Sequence, residues 1–291
     1  IPQSTLLDDS NTYTVCYASG DGSSTDTTWR DSYVRLKISK MESLSAHSVT
    51  HKTNGQIARV GGTYESWDGT AYQTVDVADL ELTYSGSLGN QKWVSLVDQT
   101  LNTNQPCDDA TEAAGSAGSA YSGVVLPAGA SSKVVSVDTL GMNTTLIFAV
   151  CYAETDGSAT DSTWADSGIR LTVSKVTSVE YGEAHSSLPV RTWRSTNIMA
   201  ATSRLPQVAG ARITYVGDLA NAQWLSVVDA SQNSNNPCVA GASAASAAGT
   251  GYSGAQQAGT GTKLVTIPQS TLLDDSNTYT VCYASGDGSS T

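Results

Sequence analysis

The sequence predicts an all-β protein, a tandem array of β-sandwiches, and three observations carry that expectation. The string IPQSTLLDDSNTYTVCYASGDGSST fills residues 1–25 and returns unchanged at 267–291, a period of 266 residues. Inside that period the chain repeats itself imperfectly. Residues 16–40 match 151–175 at 16 of 25 positions with an offset of 135, and LTYSGSLGNQKWVSLVDQTLNTNQPC (82–107) matches ITYVGDLANAQWLSVVDASQNSNNPC (213–238) with an offset of 131. The two offsets together make the period, so each unit is about 130 residues long. Finally, apolar and polar residues alternate over short runs with no helical period of comparable length.

The elements follow in order. Strand-like alternation marks 79–86 (DLELTYSG), 91–98 (QKWVSLVD), 133–140 (KVVSVDTL), 145–153 (TLIFAVCYA) and 167–175 (SGIRLTVSK). Gly86, Gly89-Asn90, Asp156-Gly157 and Asn236-Pro237 separate runs with turn chemistry. The chain therefore reads as a window slightly longer than one period of an array. Residues 1–40 are expected to be the closing strands of a unit begun upstream. Residues 41–79 are a linking segment, 80–175 a complete unit, 176–211 a second linking segment, and 212–291 a unit truncated at its end. The linking segments diverge most between copies, yet they hold Trp67, Trp193 and several Tyr, Val and Ile. Such residues favour burial, so each linking segment is expected to pack on a neighbouring sandwich and stiffen the array. A Gly/Ser tether would leave it loose. Segments 108–133 and 239–263, rich in Ala, Gly and Ser, read either as flexible loops or as places where another backbone approaches closely.

The strand YTVCYA followed by a hairpin into DSxxRLxxSK resembles the last two strands of an immunoglobulin-like sandwich. The likeness implies immunoglobulin-like units in tandem. It departs from antibody-type domains, where Tyr stands two residues before the second Cys. Here Tyr13 and Tyr279 stand three before Cys16 and Cys282, and the internal copy has Phe148. The block CYA…DGS…D.TW.DS, in a chain rich in Ser, Thr, Ala and Gly, is similar to repetitive extracellular proteins of algae and other protists, including those of surface filaments and flagellar hairs.

Five cysteines stand at 16, 107, 151, 238 and 282. Joining Cys107–Cys151 and Cys238–Cys282 gives two loops of equal spacing, 44 residues each, and leaves Cys16 to pair with an upstream repeat. Joining 16–107 and 151–238 leaves Cys282 alone instead. Equal loops within one unit favour the first pairing. Disulfides imply an oxidising compartment, and Asn143-Thr144-Thr145 is a glycosylation sequon.

Few residues suggest ligand chemistry. Asp21, Asp26 and Asp31, with their copies Asp156, Asp161 and Asp166, could supply carboxylates to Ca²⁺, although their five-residue spacing is not that of an EF-hand. The plainer expectation is that they satisfy N–H groups in turns. Trp29/Trp164 and Trp93/Trp224 are duplicated and read as core aromatics beside a disulfide. His47 and His185 both occur in AHS, which suggests a turn role. Neither they nor His51 sit at metal-ligand spacing from a Cys, and Asp98 and Asp229 are expected to cap loops. No GxSxG, HExxH or phosphate loop is present.

The balance of 15 Lys+Arg against 27 Asp+Glu gives a net charge of −12, which disfavours nucleic acid as a partner. No apolar run of 18 residues marks a membrane span. The expected function is structural and non-enzymatic. The chain reads as a building unit of an extracellular fibre or cell-surface filament, with neighbouring copies of the repeat as partners, glycans possible and no resident cofactor except possible Ca²⁺. The alternative is an adhesin or a glycan- or ice-binding module.

Overall fold

The computed structural model describes residues 7–67, 72–181, 191–194, 204, 205, 207, 209–268 and 272–289. Among them, short antiparallel strands dominate. A hairpin comes first, β1 (Thr12–Tyr17) and β2 (Arg30–Lys37).

The next strands build one unit: β3 (Ser43–Ala46), β4 (Val49–His51), β5 (Asn54–Ile57), β6 (Thr63–Trp67), β7 (Tyr72–Asp76), β8 (Leu80–Ser85), β9 (Trp93–Asp98), β10 (Tyr121–Val125), β11 (Val134–Val137), β12 (Phe148–Ala153) and β13 (Ala165–Val173). Two sheets arise, ordered β11-β8-β3-β4 and β10-β9-β12-β13-β5, with β6 and β7 a separate hairpin. Leu44, Leu82 and Tyr84 from the first sheet and Leu96, Phe148 and Leu171 from the second meet in a single buried cluster. The two sheets are thus the halves of a sandwich. β8 has strict alternation, with Leu80, Leu82 and Tyr84 buried and their neighbours exposed, as its sequence demands.

Residues 43–57, inside the segment read as linking, are strands of both sheets. β3 pairs with β8 in one sheet, and β5 runs parallel to β13 in the other. Chain entering the unit therefore crosses from one sheet to the other, and the β5–β13 pairing joins residues more than 100 positions apart.

The second unit has β14 (Val176–Tyr181), β15 (Arg191–Arg194), β16 (Ala211–Gly217), β17 (Trp224–Asp229), β18 (Gln256–Gln257), β19 (Leu264–Ile267) and β20 (Tyr279–Ala284). Its sheets are ordered β15-β14-β16-β19 and β18-β17-β20. A core of Ile213, Tyr215, Leu225 and Val265 lies between them. Among the described residues β20 is an edge strand, whereas its counterpart β12 is interior, flanked by β9 and β13.

Candidate functional site at the hairpins and unit joints

The hairpin β1–β2 repeats β12–β13 in detail. Tyr13 faces Leu36 as Phe148 faces Leu171, and both ladders shift register at the same place, before Cys16 and before Cys151. In the connecting loops Asp26 and Asp161 have matching roles. Each carboxylate accepts from a threonine hydroxyl and backbone N–H groups: Thr28 and Gly22 for Asp26, and Thr163, Asp156 and Gly157 for Asp161. Burial alone would raise the Asp161 pKa; the hydrogen bonds from Thr163, Asp156 and Gly157 outweigh it and hold the carboxyl well below the usual carboxylate range. Asp31 and Asp166 form bidentate pairs with Arg35 and Arg170, and Asp21 and Asp156 accept from the N–H of Ser23 and Ser158. These six carboxylates are thus occupied by turn and ion-pair contacts. No group of three His, Cys, Asp or Glu converges for a metal among the described residues, and the calcium reading gains no geometric support.

What differs between the two hairpins is cover. Val15, Tyr17, Trp29 and Leu36 are 38, 52, 43 and 46 % exposed. Their counterparts Val150, Tyr152, Trp164 and Leu171 are 0, 4, 8 and 0 % exposed.

The disulfides join Cys107 to Cys151 and Cys238 to Cys282, each pair with Cα atoms 5.3 Å apart, and Cys16 is free and exposed. Cys151 points away from the space between the sheets, because it alternates with Val150 and Tyr152. It joins Cys107, Val97, Ala113, Ala149 and Trp164 in a second apolar cluster on the outer face. The Ala/Gly/Ser-rich segment forms the lid of that cluster. Ser95 Oγ donates to the Ala113 carbonyl, and a Cβ on Gly115 would stand 2.3 Å from the Tyr121 ring. The second unit repeats the arrangement, with Ser226 Oγ donating to the Ala244 carbonyl. Ahead of each lid three residues have positive φ: Asn102, Thr103 and Asn104 in one unit, and Asn233, Ser234 and Asn235 in the other. Asn tolerates this left-handed turn better than most residues do. Trp93 and Trp224 pack under the hairpin loops, where a Cβ on Gly157 or Gly288 would fall 2.5 or 2.3 Å from the indole.

The units meet at a very short joint. Only Ser174 and Lys175 separate β13 from β14. The Tyr283 hydroxyl accepts from the Lys175 N–H at 3.0 Å, and the Lys175 carbonyl accepts from the N–H groups of Asp218 and Leu219. A Cβ on Gly217 would lie 2.3 Å from that carbonyl, so only glycine lets the strands approach. Between hairpin β1–β2 and the first unit the same joint recurs. Tyr152 holds the Lys40 N–H at 3.0 Å, and the Lys40 carbonyl accepts from the Leu88 N–H.

The flanking locks are different. At the second joint Asp218 binds Arg59 at 2.7 Å and accepts from Thr144 Oγ1 at 3.2 Å, while Gln56 Nε2 donates to the Tyr283 oxygen. At the first, Lys40 pairs with Glu154 at 2.7 Å and Ser87 Oγ donates to Asp9. Asp9 and Thr144 are the same repeat position, as are Ser87 and Asp218. Carboxylate and hydroxyl have exchanged sides, and one hydrogen bond survives in both.

His47, with Ser48, occupies the positive-φ turn between β3 and β4; His185 lies outside the described residues. His51 is buried, and desolvation, partly offset by a hydrogen bond with the Asn54 backbone, lowers its pKa. Asp98 and Asp229 accept from the N–H and hydroxyl of Thr100 and Ser231. Asn143 is exposed, and its side-chain oxygen accepts from Thr145. Trp67 and Trp193 fall on β6 and β15, and their side chains lie outside the described set. Sequence reasoning missed the joint residues Arg59, Thr144, Asp218 and Tyr283. The signal was available in the compensating Asp9/Ser87 and Thr144/Asp218 exchange, which becomes visible only when positions from two different offsets are paired.

Comparison with known protein families, curated proteins and solved structures gave no match to this chain. No helix among the described residues is long and apolar enough to cross a membrane. Two disulfides indicate an oxidising environment for the fold.

Proposed function

We propose that the chain is a structural, non-enzymatic part of an extracellular fibre or cell-surface filament. In this reading immunoglobulin-like units follow one another along an array, and adjoining copies of the repeat are their partners. The observation that carries it is the recurring joint. The connection is two residues between β13 and β14 and five between β2 and β3, a tyrosine hydroxyl and backbone N–H groups hold the connecting lysine both times, and a complementary side-chain pair locks each flank. A protein that only bound a ligand would have no need to hold the angle between its units.

The order β11-β8-β3 facing β10-β9-β12-β13-β5 supports immunoglobulin-like units. So does the Tyr279 hydroxyl, which donates back to the Asp274 carbonyl five residues upstream, in the manner of a tyrosine corner. An exposed Asn143 beside the joint is compatible with a glycan. Load would pass along the covalent chain and across the joints, while each disulfide limits the extension of its own unit.

The test is a series of recombinant chains carrying one, two and three periods, measured by X-ray scattering and electron microscopy. The expected result is a stiff rod whose length grows in equal steps per period. Dimensions that grow only as the square root of chain length, as for a loose string, or native material with reduced thiols, would sink the reading.

A further inference from the structure

In the first unit the chain passes from one sheet to the other across two residues, Lys52 and Thr53, and a buried histidine stands at that corner. His51 closes β4 on the first sheet, and Asn54 opens β5 on the second. His51 is only 3 % exposed. The Nδ1 side of its ring lies against Gly55, where a Cβ would overlap the imidazole, and the ring hydrogen-bonds with the Asn54 backbone. Nε2, on the other side, is buried without a hydrogen-bond partner. A neutral ring tolerates an idle lone pair there. A protonated ring does not, because Nε2 then becomes a buried donor on a charged group with nothing to accept from it.

The corner holds β5 against β13, and β13 runs straight into the joint. The Thr53 carbonyl accepts from the Arg170 N–H at 2.8 Å, the Gly55 carbonyl from Thr172 Oγ1 at 3.3 Å, and the Ile57 carbonyl from the Ser174 N–H at 2.9 Å. Ser174 is one of the two joint residues, and Gln56 and Arg59 reach across the joint to Tyr283 and Asp218. β4 and β5 are both edge strands among the described residues, so the corner can open while β8, β9 and β12 stay paired. No countercharge waits for an imidazolium. β3 and β5 carry no ionisable side chain and β4 only His51 itself; Glu81 on β8 is exposed; Asp166 and Arg170 on β13 bind each other; His47 and Lys52, in the loops on either side of β4, are exposed. Among the described residues no carboxylate acts electrostatically on His51.

We propose that the β4–β5 corner is an acid-released latch: when Nε2 of His51 takes a proton from solvent, the corner opens, β5 leaves β13, and the joint loses the contacts of Ser174, Gln56 and Arg59. Desolvation outweighs the Asn54 hydrogen bond and lowers the His51 pKa from the ordinary value of 6.5. The closed corner is therefore at full stability above about pH 6.5 and loses stability as pH falls from there toward the folded value. One proton is taken up per opening, so the opening constant rises by up to about tenfold for each pH unit in that window. Mild acid thereby turns a fixed joint into a hinge. The inference goes beyond the fibre reading and stands without it, because corner and joint both lie within this chain.

The test uses the 291-residue chain with both disulfides formed. Amide exchange at residues 54–57 and at Ser174 is followed by NMR between about pH 7.5 and about pH 5, a range that brackets the ordinary histidine value, and corrected for intrinsic rates. The expected outcome is an opening constant that rises at least about fivefold across that range while the amides of β9 and β12 keep theirs. X-ray scattering should show a wider spread of angles between the units at the acid end. His51→Asn keeps a donor at the Nδ1 position and cannot take up a proton, so it should lose both responses; His47→Asn should keep them. A response shared by the parent and His51→Asn, or one abolished in His47→Asn, would overturn the proposal. Should His51→Asn fail to fold, the parent decides alone. Its His51 ring signals should then titrate at least about one pH unit below the ordinary value, in step with the corner amides. A His51 that titrates at the ordinary value or above it, or corner exchange that stays flat with pH, would equally end the idea.

Discussion

Residues 12–37 and 147–172 are nearly the same hairpin in two environments. Strand register, bulge, loop hydrogen bonds and the Arg–Asp pair are shared, yet among the described residues one hairpin is covered on both faces and the other on neither. The difference teaches that the hairpin's shape is set locally, by the Asp–Thr turn and the cross-strand pairs. Its burial, and with it nearly all of its contribution to stability, comes from strands far away in sequence. Identical contacts inside an element can therefore coexist with very different energetic roles.

That contrast can be broken or sharpened by experiment. The largest effect should come from the disulfide. Closing a 44-residue loop removes roughly 4 kcal/mol of unfolded-chain entropy in the simple closure model, so Cys151→Ala with Cys107→Ala should lower denaturant stability of the first unit by about that amount. Cys16→Ser should leave the first unit unchanged in the same titration.

Core truncation comes next. Leu171→Ala should cost about 3 kcal/mol as a buried large-to-small change, whereas Leu36→Ala in the monomer should cost less than about 0.5 kcal/mol. Equal values would show that the hairpins are covered alike.

A smaller effect is expected in the loop. Asp161→Asn keeps the shape but loses charge-assisted acceptance from four donors, and should cost about 1–3 kcal/mol and loosen the Asp156–Thr163 amides in hydrogen exchange. The sign of its pH dependence follows from the depressed pKa. The contribution is complete above the unfolded carboxylate value near 3.8 and disappears only as pH falls from there through the lower folded value. The stability gap between the parent and Asp161→Asn should therefore stay constant above that value and narrow as the pH falls below it.

The smallest effect belongs to the joint. Arg59→Ala paired with Asp218→Ala in a double-mutant cycle should give about 0–1 kcal/mol, as expected for a partly exposed ion pair. The more telling readout is a broader spread of angles between the units in scattering data.

Much of this was legible in the chain. Alternation in 79–86, 91–98 and 145–153 located strands β8, β9 and β12. The equal spacing of 107–151 and 238–282 pointed to the observed pairing. The loop role of Asp98 followed from its place after a strand.

Residues 43–57 were not legible as strands. SLSA and NGQI are too short and too polar to stand out, and they are held by pairing with β8 and β13 rather than by their own pattern. Nor did the sequence reveal that the disulfide lies outside the inter-sheet core. That depends on which parity of β12 faces inward, and both parities are apolar there: Phe148, Val150 and Tyr152 on one side, Ala149, Cys151 and Ala153 on the other.

The swapped side chains at the two joints have a consequence for how such a gene can lengthen. The end of the second unit carries Asp275, the counterpart of Asp9, and the start of that same unit carries Asp218. Duplicating this unit alone would set two carboxylates face to face where Ser87 now meets Asp9, and like charges at that range repel. Recombination that copies units in pairs restores every match. In an array of the kind proposed, the exchange of one aspartate for one hydroxyl would act as a parity rule on growth, written at the seams and not in the cores.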